Sequence, residues 1–321
     1  LIKLIKDNQK LIGTILKWLI FVLSAWFIYR ELFEKRDFIT LISNYGQRSI
    51  DQWPFLLTVL LLMPINWLLE AIKWKRLLSG TYKMPTSRSL AATLSGVTVS
   101  ILTPNRVGEF AGKMLFVPPQ FRDKAVATSL IGSLAQLVVT LLIGSVCLVF
   151  AGNASLSIPV QLIIIAISLP LILWIYFGLG KRDNSSKFWM KYDSLKRISD
   201  SMQGLSSRTL REALLWSGLR YVVFSCQLAI LLLTLSDFNE SFVQWHLFYL
   251  VPLYFLWQTA VPTIALSEIG VRGMLLGLMF GAWAPESDLL LTSTLLWLIN
   301  IIVPAIIGSL FLLRLKMRLF Q

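Results

Sequence analysis

The chain has 321 residues, 56% of them hydrophobic, a formal net charge of +13 and a mean hydropathy of +0.69. Repeated apolar runs of roughly twenty residues make it an all-α polytopic membrane protein and exclude a soluble globular domain. The basic residues gather beside those runs, so the charge reads as a topology signal, with anionic lipid and not nucleic acid as its partner. Cys147 and Cys226 lie in apolar runs and are read as small core residues without a disulfide. A single histidine, His246, read as interfacial beside Trp245, leaves no zinc set, and no glycine-rich nucleotide loop occurs, so no cofactor is expected.

In chain order, Lys3, Lys6 and Lys10 precede a first span over about Leu11 to Tyr29, which contains Lys17. No small-residue cleavage pattern follows, so this span is expected to be retained. Arg30 to Gln52 is of mixed charge, and its Phe38, Leu41, Ile42 and Tyr45 suggest a helix along the interface. A second span, about Trp53 to Ile72, carries Asn66 and Glu70. Lys73, Lys75, Arg76, Lys83 and Arg88 follow without an acid among them, which marks a cytoplasmic loop.

The apolar pieces Ser89 to Leu102 and Val107 to Val117 are each too short to cross a hydrocarbon core about 30 Å thick. They read as a re-entrant hairpin over 89–117. Its break holds Thr103, Pro104, Arg106, Gly108, Glu109 and Lys113. Thr103 as cap and Pro104 at the first helical position would start a helix at membrane depth. The spacings of three and four place Arg106, Glu109 and Lys113 on one face, where Glu109 pairs with either cation and leaves one positive charge over. Gly108 and Gly112 would let a helix or a lipid headgroup approach the backbone. A free helix N-terminus with a surplus cation is an anion site; the structural alternative is that the charges pair only with one another to hold two helices together.

Arg122 and Lys124 mark a cytoplasmic return before a span from about Ala125 to Phe150. Gly152 to Ser157 is uncharged and assigned outside, and Pro159 to Phe177 crosses again. The basic segment Lys181 to Arg211 is either a helix pressed on the inner leaflet or a solvated linker. A span over about Glu212 to Leu235 contains Arg220 and is followed by the acids Asp237 and Glu240, assigned outside. The short-piece pattern then recurs: Trp245 to Val261, a break at Pro262 to Ser267, and Glu268 to Phe280, a second re-entrant hairpin over 245–280. Ser267 would cap its second helix, where Glu268 and Arg272 stand four apart for an ion pair beside Gly270 and Gly273. The last span, about Leu289 to Leu313, ends in Arg314, Lys316 and Arg318.

The order of two spans, a hairpin and a span occurs twice, in 1–155 and 156–321, and the two copies start on opposite sides. This is an inverted-topology repeat of about six full spans and two re-entrant hairpins forming one membrane domain. Both breaks approach the midplane, so the expected substrate contacts are Thr103, Arg106, Gly108, Glu109, Lys113, Ser267, Glu268 and Arg272, with Asn66, Glu70 and Arg220 either lining a route or holding helices together. Charges at bilayer depth cost roughly 2.5 to 3.5 kcal/mol each on insertion scales and belong to a substrate path by default.

Pro104-Asn105-Arg106-Val107-Gly108-Glu109 resembles the Pro-Gly-Arg-x-Gly-Glu signature of the lysylphosphatidylglycerol synthase transmembrane region, and Glu268-Ile269-Gly270-Val271-Arg272 is similar to that family's Gly-Leu-Gly-Val-Arg-Glu. The chain departs from the pattern at Asn105, at Gly112 with Lys113 beside it, and at Glu268, where the acid precedes its usual place at Gly273. The resemblance implies movement of an anionic or glycosylated lipid, a phospholipid or polyprenyl phosphate, between leaflets of a bacterial-type plasma membrane, with both termini cytoplasmic. Fused family members also carry an aminoacyl-transferring domain; none is read here, so synthesis of lysyl-lipid is not expected. Enzymes of envelope-lipid or glycan synthesis are the protein partners this context admits. The alternatives are a membrane enzyme acting on polyprenyl-phosphate lipids, which usually needs paired acids or a positioned nucleophile, a small-anion transporter on the same scaffold, and a scaffold protein for an envelope-synthesis complex.

Overall fold

The computed structural model describes residues 52–103, 106–150, 158–178, 200–202, 205–239, 244–261 and 265–315, with six positions of the first apolar run; for 158–162, 164 and 265–269 the backbone alone is described. No strand occurs among the described residues. The helices are α1 (Trp53–Leu78), α2 (Thr86–Ile101), α3 (Gly108–Met114), α4 (Arg122–Phe150, entered through a 3-10 turn at Pro119–Phe121), α5 (Ile158–Gly178), α6 (Ser207–Leu235), α7 (His246–Ala260), α8 (Ala265–Phe280), α9 (Glu286–Trp297) and α10 (Val303–Arg314). A π-helical turn, Leu298–Ile302, joins α9 to α10 without a break. Four helical stretches are long and apolar enough to cross a bilayer: Trp53–Leu78, Pro119–Phe150, Ser207–Leu235 and Glu286–Arg314. The span expected at Leu11 to Tyr29 and the interfacial segments expected at 30–52 and 181–199 fall largely or wholly outside the described residues.

Two pairs of helices fold back on themselves. Along α2 and α3 the chain runs antiparallel, with Val99 beside Gly108, Gly96 beside Glu109 and Gly112, and Arg88 Nε donating to the Phe116 carbonyl at 3.0 Å. α7 and α8 form the second pair: at its open end the His246 ring lies 4.9 Å from that of Trp283, just past α8. Helices of 16, 7, 15 and 16 residues reach only about 24, 10, 22 and 24 Å at 1.5 Å per residue.

Inside a bilayer, apolar burial does not drive helices together, so close packing and hydrogen bonds must. α2 is built for this. It is rich in Ser, Thr, Ala and Gly, most of its residues are buried, and its hydroxyls bond outward: Ser89 to the Ala71 carbonyl at 2.7 Å, Ser95 to Gly308 at 3.1 Å and Thr98 to Ala305 at 2.7 Å. α2 is thereby tied to α1 and α10 while α3 lies on its third side. A larger core of Leu228, Leu231, Leu232, Leu235, Tyr254, Leu276, Phe280 and Leu289, all fully buried, joins α6 to α7, α8 and α9.

Several boundaries differ from expectation. α1 continues to Leu78, so Lys73 is not a loop residue; it is 1% exposed within the bundle, while Lys75 and Arg76 occupy the last turn. Arg122 and Lys124 lie on α4, and Arg208 and Arg211 on α6, whose start is capped by the Ser206 side chain accepting from the Thr209 amide at 3.1 Å. Helical pairing inside the chain satisfies the backbone beyond the apolar core, so helices outrun the hydrophobic stretches that announce them. Cys147 is buried, but Cys226 is exposed on the outer face of α6 and is not a core residue.

The contact of α2 with α3 has no spare room: a Cβ at Gly112 would stand 2.6 Å from Gly96 Cα, whereas at Gly218 nothing lies within 4 Å. Gly112→Val is expected to lower the temperature at which the detergent-solubilised protein loses its monodisperse size-exclusion peak. Gly218→Ala should leave that temperature unchanged or raise it, since alanine is the better helix former.

Candidate functional site

The charges of this protein converge on one carboxylate. Glu70, on α1 and 5% exposed, receives Lys73 Nζ at 2.7 Å from the same helix, Lys113 Nζ at 3.1 Å from α3 and Arg220 Nη1 at 2.9 Å from α6. Lys113 also pairs with Glu109 at 2.6 Å, one helical turn back. Each partner is fixed further. Lys73 donates to the Gly132 carbonyl of α4 at 3.0 Å and to Ser217 Oγ of α6 at 3.3 Å. Arg220 Nε donates to Asn66 Oδ1 at 2.9 Å, and Asn66 Nδ2 in turn to Asn300 Oδ1 in the π turn at 3.2 Å. The guanidinium of Arg220 lies 5.0 Å over the Trp67 ring, and Lys113 Nζ lies 5.8 Å over Trp74. Cations over indole faces gain electrostatic support without adding a charge of their own.

Beside this network opens a cleft of about 240 Å³, lined by Glu70, Lys73, Glu109, Arg220, Leu137 and the polar side chains of Ser133, Gln136, Thr140 and Thr259. Ser133, Gln136, Leu137 and Thr140 recur at the spacing of one face of α4. Ser133 and Thr259 are exposed while Glu70 and Lys73 are buried, so the cleft runs from the bundle surface to the ion network. Ser133 lies 11 residues into α4, about 17 Å along it, which puts the mouth well inside the length of a membrane-crossing helix. Three cations stand against two carboxylates in the network. Arg220 spends Nε and Nη1 on Asn66 and Glu70, and its Nη2 makes no bond among the described residues. The arrangement can therefore receive an anion at the Arg220 edge, where the surplus cation neutralises its charge.

The expected site residues are only partly brought together. Glu109 and Lys113 join Asn66, Glu70 and Arg220, which the sequence left between a route and a structural role. Arg106 does not share a helical face with Glu109 and Lys113: α3 begins at Gly108, and Arg106 precedes it in a left-handed turn at φ 58°, a conformation that costs a non-glycine residue about 1 kcal/mol or more. Thr103 does not cap a helix at Pro104; its Oγ1 accepts from the Gly108 amide at 2.8 Å across the turn. Pro104 and Asn105 lie outside the described residues. A helix of seven residues has too few aligned peptides to serve as the expected anion site. Gly108 packs against Val99 and Thr103, which leaves no room there for a headgroup.

In the second pair, Ser267 is the third residue of α8, not its cap, and the side chains of Ser267 and Glu268 lie outside the described residues. Arg272 is 4% exposed. With its carboxamide oxygen turned to the guanidinium, the orientation its neighbours require, Gln258 accepts from Arg272 Nη2 and Nε at 2.9 and 3.0 Å. Arg272 does not line the cleft, although Thr259, next to Gln258, does. Lys73, Asn300 and the polar stripe of α4 escaped the sequence reading. The stripe's spacing and an asparagine inside the last apolar run were the available signals; Lys73 carried none, because a lysine at the start of a basic run looks like the loop that follows it.

Removing one partner from a buried ion cluster leaves the rest uncompensated, at a cost of about 3 to 5 kcal/mol. Glu70→Ala is accordingly expected to be the most destabilising single change in the network, read as a lower midpoint in chemical denaturation in mixed micelles. Lys73→Met added to Glu70→Ala should recover part of the loss by removing one stranded cation.

The sequence model of a family described as Lysylphosphatidylglycerol synthase TM region matches residues 14–308. No curated protein matches the chain.

Proposed function

The chain belongs to the lysylphosphatidylglycerol synthase TM region family, integral membrane proteins related to lipid handling, and from that footing we propose that it moves an anionic lipid between leaflets. The observation that carries the reading is the cleft itself: polar, opening sideways at membrane depth between α4 and the end of α7, and closed at its inner end by a network with one cation in excess. A headgroup enters such a cleft while its acyl chains stay in the hydrocarbon, so the protein hides only the part of the lipid that the bilayer rejects. Arg220 Nη2 receives the anion, Lys73 and Lys113 supply background charge, and Glu70 holds all three cations in place. This is carriage and not catalysis.

The proposed layout is the inverted repeat of about six spans with two re-entrant hairpins, both termini cytoplasmic, in the plasma membrane of a bacterial-type cell. Its support is reciprocal packing. α10, which ends the second copy, packs along α2 of the first; α4, which ends the first, packs along α7 of the second; and the matching helices α1 and α6 lie against each other. Such reciprocal pairs are what an antiparallel pseudo-twofold would produce, and secondary transporters built from inverted repeats bind at the repeat interface near the midplane. The inner end of the cleft reaches the contact of α1 with α6, where that axis would pass.

The test is leaflet-to-leaflet movement of acyl-labelled phosphatidylglycerol in proteoliposomes. Native protein is expected to accelerate it, Arg220→Gln to reduce it to the protein-free rate, and the exposed Arg208→Gln to match native. If no anionic lipid moves, or Arg220→Gln moves it as fast as native, the carrier reading fails, and a membrane enzyme or a small-anion transporter takes its place.

A further inference from the structure

Arg220 is steered from a place outside the cleft. Its Nε donates to Asn66 Oδ1 at 2.9 Å, Asn66 Nδ2 donates to Asn300 Oδ1 at 3.2 Å, and Asn300 Nδ2 donates to the Leu296 carbonyl at 3.2 Å. A guanidinium only donates and a carbonyl only accepts, so the two ends of this chain allow one orientation of both amides. Turning either amide over sets donor against donor on one side and oxygen against oxygen on the other. Asn66 and Asn300 are 0% and 1% exposed, so no water relieves such a mismatch. Asn300 stands in the π-helical turn, where the Val303 amide bonds the Leu298 carbonyl five residues back. Turns of this kind are rare and are found mostly at functional sites. Leu298, Ile299, Ile301 and Ile302 surround Asn300 in the sequence, and a leucine would suit that run as well by composition. The same turn backs Arg220 a second way. Ile301 and Ile302 share a core with Trp297 and with Trp67, over whose ring the guanidinium lies at 5.0 Å.

We infer that Asn300 is a positioning residue for anion capture: it sets the Asn66 amide and, through it, aims Arg220 Nη2 into the cleft. Interhelical hydrogen bonds add little net stability in a membrane, because separated helices also find partners. What this chain of amides supplies is direction. With Nε held by Asn66 and Nη1 by Glu70, two edges of the planar guanidinium are fixed, and Nη2 is the nitrogen left for an anion. Without Asn300, the Asn66 amide is free to turn its Nδ2 toward Arg220, which removes the acceptor for Nε and releases the plane. The consequence for transport rests on the carrier reading above; the positioning itself does not.

The experiment compares Asn300→Leu, Asn66→Leu, the two together, and Asn300→Asp with the native chain, each carrying isotope-labelled arginine. The first readout is solvent exchange of the Arg220 Nε–H by nuclear magnetic resonance, its signal identified by loss in Arg220→Gln. A merely structural role for Asn300 leaves that rate native in folded protein. Asn300→Leu is expected to speed the exchange about fivefold, the factor that one ordinary hydrogen bond corresponds to. Asn66→Leu should do the same, and the pair should add nothing further, because Asn300 acts through Asn66. Asn300→Asp keeps an acceptor for Asn66 and should keep the native rate. Replacing both amides strands neither, so the double variant tests the same chain where a single leucine prevents folding. The second readout is movement of phosphatidylglycerol in proteoliposomes at rising mole fraction. Asn300→Leu should raise the half-saturating fraction about fivefold and keep the maximal rate per folded protein. Native exchange in Asn300→Leu or in the double variant, or effects of the two leucines that add, overturns the inference. Faster exchange with unchanged half-saturation overturns the role in anion capture. If native protein moves no lipid, the carrier reading falls and the exchange rates alone decide the positioning.

Discussion

One carboxylate sets the terms for the rest of the molecule. Glu70 accepts from cations on its own helix, on α3 and on α6; without it Lys73 and Arg220 would lose their carboxylate partner, and Lys113 would keep only Glu109. The short α3 packs on α2 and α4, and Lys113 ties it to α1 by reaching Glu70. Arg220 bonds Asn66 as well as Glu70, two positions one helical turn apart on α1, which fixes the register of α6 against it. Lys73 then carries the connection to α4 through the Gly132 carbonyl. Charge pairing thus performs the joining that apolar burial performs in a soluble protein, and it does so where lipid offers the alternatives no water.

The same network borders the cleft. The ion network lies where α1, α3, α4 and α6 meet and lines one end of the cleft, whereas α2, with its small residues and outward-bonding hydroxyls, lets α1, α3 and α10 come close. The bundle is tight around α2 and open beside α4, and the polar stripe of α4 faces the opening. The transport site proposed here would need no dedicated ligand-binding loop. Its charge is already balanced to within one unit, three cations against two carboxylates, which leaves the surplus that the proposed anionic headgroup would neutralise.

Much of the helical plan was legible. Apolar runs of span length marked the four long helices, and the two places where those runs fell short marked the helix pairs α2/α3 and α7/α8. The ends of helices were less legible: α1 and α6 take in Lys73, Lys75, Arg208 and Arg211, which hydropathy assigns to loops. Around Arg106 the motif was visible but its conformation was not. A proline after a threonine is a sound helix start by local rules, yet the chain takes a left-handed turn at Arg106 and delays the helix to Gly108, so a predicted triad on one face became a pair.

By itself the sequence determined that the chain is a helical membrane protein, which segments are too short to cross, and that ionisable residues are placed where only function or pairing can justify them. Those properties follow from composition and spacing along one strand of chain. Only the tertiary structure decided who pairs with whom. Glu70 and Arg220 are 150 positions apart and Asn66 and Asn300 are 234 apart, and no local period encodes such contacts. Coulomb attraction in a low-dielectric interior depends on separation in space, which packing alone sets.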